Sequence, residues 1–551
     1  MSRQYATVVE LLETAFAQYP DKPAYTCMGH TLTFAELDQL SRQFAAFLQQ
    51  ELGLRSGQRI ALQMPNILQF PVALYGAVRA GLTIVNSNPL YTSREIKHQL
   101  SDSGAEALVV LSNVAAETAE IIQDTAVKHV IVTDIADLHP QPKRSLLNFA
   151  VRYVKRMVPA FHFPHSITFR RALSLGSKAR LQAPTDIHGE SILALQYTGG
   201  TTGIAKGAML THNNLCANVR QVIDHMPDLF VEKNLCFAAP LPLYHVYAFN
   251  LHALAAFSMG AHNVLIPNPR DIPALVSVLR KHPPTVFLGL NTLFNALCRN
   301  KDFCELDFSR LTCTSSGGMA LTESTAKCWQ EVTGVNIVEG YGLTETSPVV
   351  SSCQRDQIKR GTVGTALPDT EVRVTDDSGQ PLATSEVGEL CVRGPQVMLG
   401  YWQKPEETAA VLSADGWFKT GDMATIDAEG FIRIVDRKKD LIIVSGFNVY
   451  PNEVEDAVSQ HPGILEAAAV GLPDDKSGER VKLFVVRSDD SVTEEDVLDY
   501  CRENMTNYKV PRAIEFRDTL PKSNVGKILR RSLRDEEMEK IKASSVSADS
   551  R

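Results

Sequence analysis

The chain has 551 residues, 44% hydrophobic and 21% charged, the balance of a globular protein with several substantial cores rather than a disordered or fibrous one. Its formal net charge of −8 excludes nucleic-acid binding through bulk charge, so no nucleic-acid partner is expected. The ten cysteines, scattered from Cys27 to Cys501, form no Cys-x-x-Cys pair, which reads as free thiols in a reducing compartment rather than a disulfide framework or a zinc site.

Residues 1–140 alternate helical and strand patterns. Met1-Ser2-Arg3-Gln4-Tyr5-Ala6 lacks the apolar core of a signal peptide, and no uncharged apolar run is long enough to span a bilayer, so a cytoplasmic location is expected. Thr33 to Leu52 predicts an amphipathic helix with a polar start. Arg59–Met64, Ala107–Leu111 and His129–Asp134 predict buried strands, the first ended by Pro65-Asn66. Helices between such strands predict parallel α/β layers.

Residues 143–171 have another texture, with seven Lys/Arg and no Asp/Glu. On a helical projection Leu146, Ala150, Tyr153, Val154 and Met157 share a face with Leu147 and Phe149, opposite Asn148, Arg152, Lys155 and Arg156. A basic amphipathic helix of this kind fits a peripheral contact with the anionic inner membrane surface. It fits equally a helix packed on its own domain with a wet basic face. Pro159, Pro164, Phe161 and Phe163 are expected to end it.

Ile192-Leu193-Ala194-Leu195 predicts a buried strand, which runs into Tyr197-Thr198-Gly199-Gly200-Thr201-Thr202-Gly203-Ile204-Ala205-Lys206-Gly207. Glycines allow close backbone approach, and successive N–H groups form a nest for anionic oxygens. Threonine hydroxyls add donors or a metal contact, and Lys206 adds a point charge. Strand then glycine-rich loop points to a nucleoside triphosphate. A Walker-type loop needs Gly-Lys-Ser/Thr at its end, but here Ala205 precedes Lys206 and Gly207 follows it. A plain linker has no need of three threonines and a lysine among four glycines.

From 185 to about 350 the α/β alternation resumes, with Thr285–Gly289 and Leu311–Gly318 each predicted as a strand running into a loop, where open α/β sheets carry their functional groups. From Gly361 to Asp436 short strands (Glu371–Val374, Gly388–Val392) between Asp-Ser-Gly and Arg-Gly-Pro turns predict a small β subdomain. Past Lys439 the pattern is α+β, with helices over Glu453–Gln460 and near 493–504 and a charged tail frayed from Ser544. Asp436-Arg437-Lys438-Lys439-Asp440, between the two textures, reads either as a solvated turn or as a hinge.

Three further segments give the glycine-rich loop its meaning: Glu339-Gly340-Tyr341-Gly342-Leu343-Thr344-Glu345-Thr346; Gly416-Trp417-Phe418-Lys419-Thr420-Gly421-Asp422 with Ile434 to Asp440; and Leu520-Pro521-Lys522-Ser523-Asn524-Val525-Gly526-Lys527-Ile528. In this order and spacing the four motifs resemble the adenylate-forming superfamily of acyl-CoA synthetases, luciferases and adenylation domains, over nearly the whole chain. Within it the chain is similar to bacterial long-chain fatty-acid–CoA ligases, since Asp415-Gly416-Trp417 through Lys439 resembles their signature. Ala205 stands where many members carry proline.

The resemblance implies a large N-terminal domain (1–435) of two layered α/β subdomains plus a small β subdomain (about 361–435), a hinge at 436–439, and a smaller mobile α+β C-terminal domain (440–551). It implies ATP, Mg²⁺ and CoA, with a fatty acid as substrate, and leaves a homodimer open. Thr198, Gly199, Gly200, Thr201, Thr202, Gly203 and Lys206 would hold the β- and γ-phosphates, and Glu345 with Thr198 the Mg²⁺. Tyr341 would stack on adenine, with Gly317, Gly318 and Met319 opposite and Gly342 and Thr344 alongside. Asp422 would accept from both ribose hydroxyls, Arg437 would assist there, and Lys527 would reach the carboxylate and α-phosphate oxygens. His245 matches the family's position beside the acyl carboxylate. Val246, Tyr247, Phe249, Gly289 and Leu290, with Leu288, are candidates for the acyl tunnel. Lys439 would be the pivot, and Ser445, Gly446 and Phe447 would approach the pantetheine channel.

Singly, most of these residues read equally well as core, turn or solvated surface; their co-occurrence is what carries the assignment. The alternatives are a ligase for aryl acids such as cinnamates, a carrier-protein thiol as acceptor, and a catalytically silent lipid-binding membrane scaffold, which would have a degraded nucleotide site.

Overall fold

The computed structural model describes residues 3–199, 205–230, 234–474, 476–523 and 526–549. Helices begin where the sequence offers a cap. Thr33 accepts from the Glu36 N–H, and Glu36 accepts from the Thr33 N–H at 2.8 Å, opening Phe34–Gln50. The same reciprocal pair opens Ser93–Ser103 at Thr92 and Glu95, and Glu494–Asn504 at Thr493 and Asp496. The apolar stripe Leu37, Phe44, Phe47 and Leu48 is buried. Against it packs Gln69–Arg79, whose last residue is an unexpected buried cation: the Arg79 guanidinium, 1% exposed, meets Glu13 at 2.9 Å and the Ser41 hydroxyl at 2.6 Å, tying three helices together.

Two large sheets follow. One has eight strands, with Thr83–Ser87, Arg59–Gln63, Ala107–Leu111 and His129–Thr133 parallel in the middle. The other has nine, with Ile337–Gly342, Cys313–Gly317, Val286–Gly289, Cys236–Ala239 and His262–Leu265 parallel. Antiparallel pairs close both edges of the nine-stranded sheet and one edge of the eight-stranded sheet, whose other edge strand, Ser166–Thr168, is parallel. One continuous core fills the space between the sheets. This is the layered α/β architecture expected, and the strands predicted in 59–134 lie within a residue of their places.

A four-stranded antiparallel sheet (Glu371–Thr375, Gly388–Arg393, Phe418–Ile426, Ile432–Arg437) forms the β subdomain. Gly400–Tyr401 leaves it to pair with Ala208 and Met209 on the eight-stranded sheet. From Ile442 onward a five-stranded sheet with Pro451–Val458, Glu494–Asn504 and Arg530–Asp549 has cores of its own. The backbone is helical through Asp549, past the Ser544 where fraying is expected.

The segment 143–157 corrects one reading. It is helical over Lys143–Phe149 and continues as a π-turn through Val154. Its polar residues Asn148 and Arg152 dock on the domain, while Leu146, Phe149, Tyr153, Val154 and Met157 face out. The segment thus packs on its own domain with Lys155 and Arg156 exposed, as one reading expected, but it does so through Asn148 and Arg152 rather than through an apolar face.

Candidate active site

Three strands of the large sheets end at the same place. Ile192–Gly199 leads toward the glycine-rich segment, Cys313–Gly317 into Gly318, and Ile337–Gly342 into the turn Thr344–Thr346. They open on a cleft of about 920 Å³, at strand ends as open α/β sheets favour. The four-stranded sheet supplies one more wall, and the C-terminal domain another.

Tyr341 and Asp422 meet directly: the Tyr341 hydroxyl donates to Asp422 Oδ2 at 2.6 Å. Asp422 sits opposite Arg437 in the strand register, and Arg437 Nε lies 3.6 Å from its Oδ1. Burial raises the Asp422 carboxyl above its ordinary value, opposed by Arg437 and the Tyr341 bond. Burial, with the Asp422 charge next, also raises the Tyr341 hydroxyl. Gly342 is obligatory, since a Cβ there would lie 1.9 Å from the Pro348 carbonyl oxygen.

Glu345 is 8% exposed, and burial raises its carboxyl. The Tyr401 hydroxyl donates to its Oε1 at 2.8 Å, and its backbone oxygen accepts from Met398 N–H at 2.8 Å. Tyr401 reaches it because Gly400–Tyr401 crosses to the large sheet. Lys206, opposite Thr198 in register, lies 5.1 Å from the Tyr401 ring centre and is paired with Glu407. Glu345 and Thr198 line one cleft and offer the hard oxygen donors that Mg²⁺ takes alongside phosphate oxygens and water. The residues present therefore fit that ion.

Lys527 enters from the C-terminal domain and lines the cleft. Gly318, whose φ of +83° favours glycine, lies beside it: a Cβ there would sit in ordinary contact with Lys527 Cε, at 3.7 Å. Burial, then Arg437, pulls the Lys527 ammonium down to about 8. His245 caps Val246–Asn250 and accepts the Tyr247 N–H on Nδ1 at 3.4 Å. Burial, then Lys527, holds its imidazole down at about 4, so it is neutral near pH 7.

Gly317, Met319, Thr344, Val246, Tyr247 and Lys439 also line the cleft. Gly200, Thr201, Thr202 and Gly203 lie outside the described residues, and Gly199 is described as the end of its strand. Three acyl-pocket expectations need correction. Phe249 is fully buried in the core, Gly289 is covered by the Phe294 ring, and Leu290, like them, is not on the cleft wall. The apolar wall is made by the expected Val246 and Leu288 together with Val222, Met226, Leu229, Phe237 and Val286. In the arrangement seen, Ser445, Gly446 and Phe447 stand away from the cleft on a hairpin tip, where Phe447 is 56% exposed and stacks on Tyr508 at 4.8 Å.

Sequence reasoning missed Tyr401 and Arg530. Arg530 joins Asp436 at 3.0 Å to Glu455 at 2.5 Å, bridging the last strand of the β subdomain to the C-terminal helices. Burial would lower its guanidinium, but Glu455, Asp436 and Asp440 outweigh burial and raise it. Their sequence signals were the Gly400-Tyr401-Trp402 run after an Arg-Gly-Pro turn and the Arg530-Arg531 pair after Lys527.

Residues 12–402 match the AMP-binding enzyme family, and residues 453–527 match the AMP-binding enzyme C-terminal domain. The chain belongs to the AMP-binding enzyme family. Among relatives, a long-chain-fatty-acid–CoA ligase of Escherichia coli O157:H7 is 52% identical over 540 residues, covering 98% of this chain and 96% of that one. A 4-coumarate–CoA ligase 3 of Oryza sativa subsp. japonica is 30% identical, covering 95% and 91%. Among solved structures, the anthranilate CoA ligase AuaEII in complex with anthranoyl-AMP matches with a TM-score of 0.86 at 25% identity, covering 97% of this chain and 98% of that one. As an AMP-binding enzyme, this chain has its first matched segment carrying Thr198 to Glu345 and its second ending at Lys527.

Proposed function

We propose that the chain joins a medium- or long-chain fatty acid to CoA in two steps: ATP and the acid give an acyl-adenylate and pyrophosphate, and CoA then gives acyl-CoA and AMP. The observation that carries this reading is the convergence of Tyr341, Glu345, Asp422, Arg437 and Lys527 on one cleft with an apolar wall, in a chain 52% identical to a long-chain-fatty-acid–CoA ligase.

A carboxylate is a poor acyl donor until its oxygen is replaced by a better leaving group. Attack of a carboxylate oxygen on the α-phosphorus makes the mixed anhydride and expels pyrophosphate. Negative charge gathers on the α-phosphate oxygens, and Lys527, fixed and desolvated, faces it. Asp422 and Arg437 orient the ribose, and Tyr341 with Gly317 and Gly318 bounds the adenine. Lys206 and Thr198 hold the outgoing phosphates. Glu345 and Thr198 would hold Mg²⁺, which when bound supplies charge neutralisation at the phosphates. Neutral His245, with Nδ1 accepting from Tyr247, keeps its proton on Nε2, free to donate to the acyl carboxylate.

Thiol attack on the acyl carbonyl then releases AMP. Lys527 occupies the approach and withdraws as 440–551 turns against 1–435 about 436–439, with Lys439 as pivot. Ser445, Gly446 and Phe447, exposed on their hairpin, are placed on the domain that moves. ATP and CoA as co-substrates fit a cytoplasmic seat.

Each buried CH₂ of the acyl chain contributes about 0.8 kcal/mol, so an apolar wall of this kind favours a fatty chain. The 30% identity to a 4-coumarate–CoA ligase keeps aryl acids as the second reading. Pyrophosphate release assayed separately with palmitate, octanoate and coumarate decides: the proposal expects the two fatty acids to lead, and a preference for coumarate rejects it. Failure to consume ATP with any of them would revive a silent lipid-binding scaffold.

A further inference from the structure

The segment that follows Lys143 is turned inside out for a soluble surface. Arg152 pairs with Asp134 Oδ1 at 2.8 Å. Asn148 accepts from Ala136 N–H at 3.0 Å and donates to Asp137 Oδ1 at 3.2 Å. Lys143 donates to the Met28 carbonyl, and Asn113 Nδ2 donates to the Met157 carbonyl at 3.0 Å. These contacts run along the whole segment and fix its roll. Its apolar side chains are thereby held outward: Leu146 is 65% exposed, Phe149 58%, Tyr153 63%, Val154 69% and Met157 53%. They make up five of the eleven large apolar side chains that stand exposed among the described residues, so this is a patch rather than the usual scatter. The Phe149 and Tyr153 rings pack against each other at a tilt of 41°, 5.1 Å between ring centres, and extend the apolar ridge.

Charge identifies what covers the ridge. Residues 143–171 carry seven Lys/Arg and no Asp/Glu, in a chain whose net charge is −8. Lys155, Arg156, Arg170 and Arg171 are exposed. A bilayer with anionic headgroups supplies both an apolar boundary and negative charge beside it. Tyr153, with a polar tip on an apolar ring, suits the depth where the two meet. Among the described residues no helix is long and apolar enough to cross a membrane, so the contact lies in the interface plane.

We propose that Leu146, Phe149, Tyr153, Val154 and Met157 form a docking face for an anionic phospholipid membrane, with Lys155 and Arg156 at the headgroup level. The ion pair Arg152–Asp134 is its anchor to the protein, not a lipid contact.

The test is co-sedimentation of the full chain with phosphatidylcholine vesicles, with and without phosphatidylglycerol. Binding is expected with phosphatidylglycerol and is weakened by salt. The triple variant Phe149→Ser, Tyr153→Ser, Met157→Ser is expected to lose at least about tenfold in partitioning, with an unchanged melting curve because the sites are exposed. In a second measurement, Tyr153→Trp should shift its emission to the blue on adding the anionic vesicles. No binding by the wild type, equal binding by the triple variant, or an unshifted tryptophan overturns the proposal. So does sedimentation velocity showing a wild-type dimer that the triple variant converts to monomer, since a second copy would then cover the face.

Discussion

The Tyr341 hydroxyl donates to Asp422 Oδ2 at 2.6 Å, joining the last turn of a large-sheet strand to the second strand pair of the β subdomain. The bond fixes the distance between the two cleft walls to which the proposed reaction assigns adenine and ribose. Tyr341→Phe should leave Asp422 buried with one partner fewer, at about 1–3 kcal/mol. We expect KM for ATP to rise about tenfold or more, with a smaller change in KM for the fatty acid. An unchanged KM for ATP would remove Tyr341 from nucleotide positioning.

Lys527→Ala should slow adenylation by roughly 10²–10³, the loss of one donor aimed at developing charge, while transfer from preformed acyl-adenylate to CoA survives. The lysine also sets a pH limit. Its ammonium is held down to about 8 by burial and then Arg437. The active cation is present below that value and lost as pH rises through it. The pH profile of kcat/KM for adenylation, which reports the free enzyme, should fall above about 8. Lys527→Arg should abolish that limb. His245, held at about 4, should contribute no inflection between pH 6 and pH 8.

Lys439→Pro should spare adenylation and impair thioester formation, because proline restricts the backbone dihedral the swing uses. The two half-reactions are measured separately, as pyrophosphate release and as acyl-CoA formed from added acyl-adenylate. Equal losses in both would place the pivot elsewhere.

Glu339 and Asp456 face one another across the seam between the domains, lining a small cavity with Glu323, Arg360 and Gln460. Burial moves Glu339 up to about 7, opposed by a backbone hydrogen bond from Leu321 and by Arg360 and reinforced by the Asp456 and Glu323 charges. Burial, then Glu455, with Arg530 opposing, moves Asp456 up to about 6. Both are raised in the closed arrangement, so closure favours their protonated forms. That contribution is full below their ordinary values of 4.5 and 3.8 and is lost as pH rises through about 6 and about 7. Energy transfer between dyes on the two domains should report more closure at pH 5 than at pH 8. Glu339→Gln should flatten the dependence; a variant that titrates like the wild type would contradict it.

Much of the scaffold is legible in the chain because its signals are local. Thr33 and Glu36 announce a helix start three residues apart, and the run Ala107–Leu111 is apolar on both faces because both faces are covered. The residues proposed to hold the nucleotide are legible as motifs. What was not legible depends on partners distant in sequence. Nothing local says that Tyr401 crosses to the large sheet to hold Glu345, or that Arg530 bridges Asp436 and Glu455. The acyl wall was misread at Phe249 because neighbouring apolar residues on one short helix divide between core and cavity. The 143–157 projection found the two faces, but which one docks is set by Asp134 and Asp137, outside the segment.

In the proposed reaction one cleft caps a fatty carboxyl with AMP and then hands it to sulfur. Its most direct measurement is a single turnover with α-³²P-labelled ATP and palmitate, first without CoA and then chased with it. The account predicts palmitoyl-adenylate and pyrophosphate in the first phase, and palmitoyl-CoA with AMP only after the chase. Release of ADP and phosphate, or thioester formation with no adenylate on its path, would contradict it.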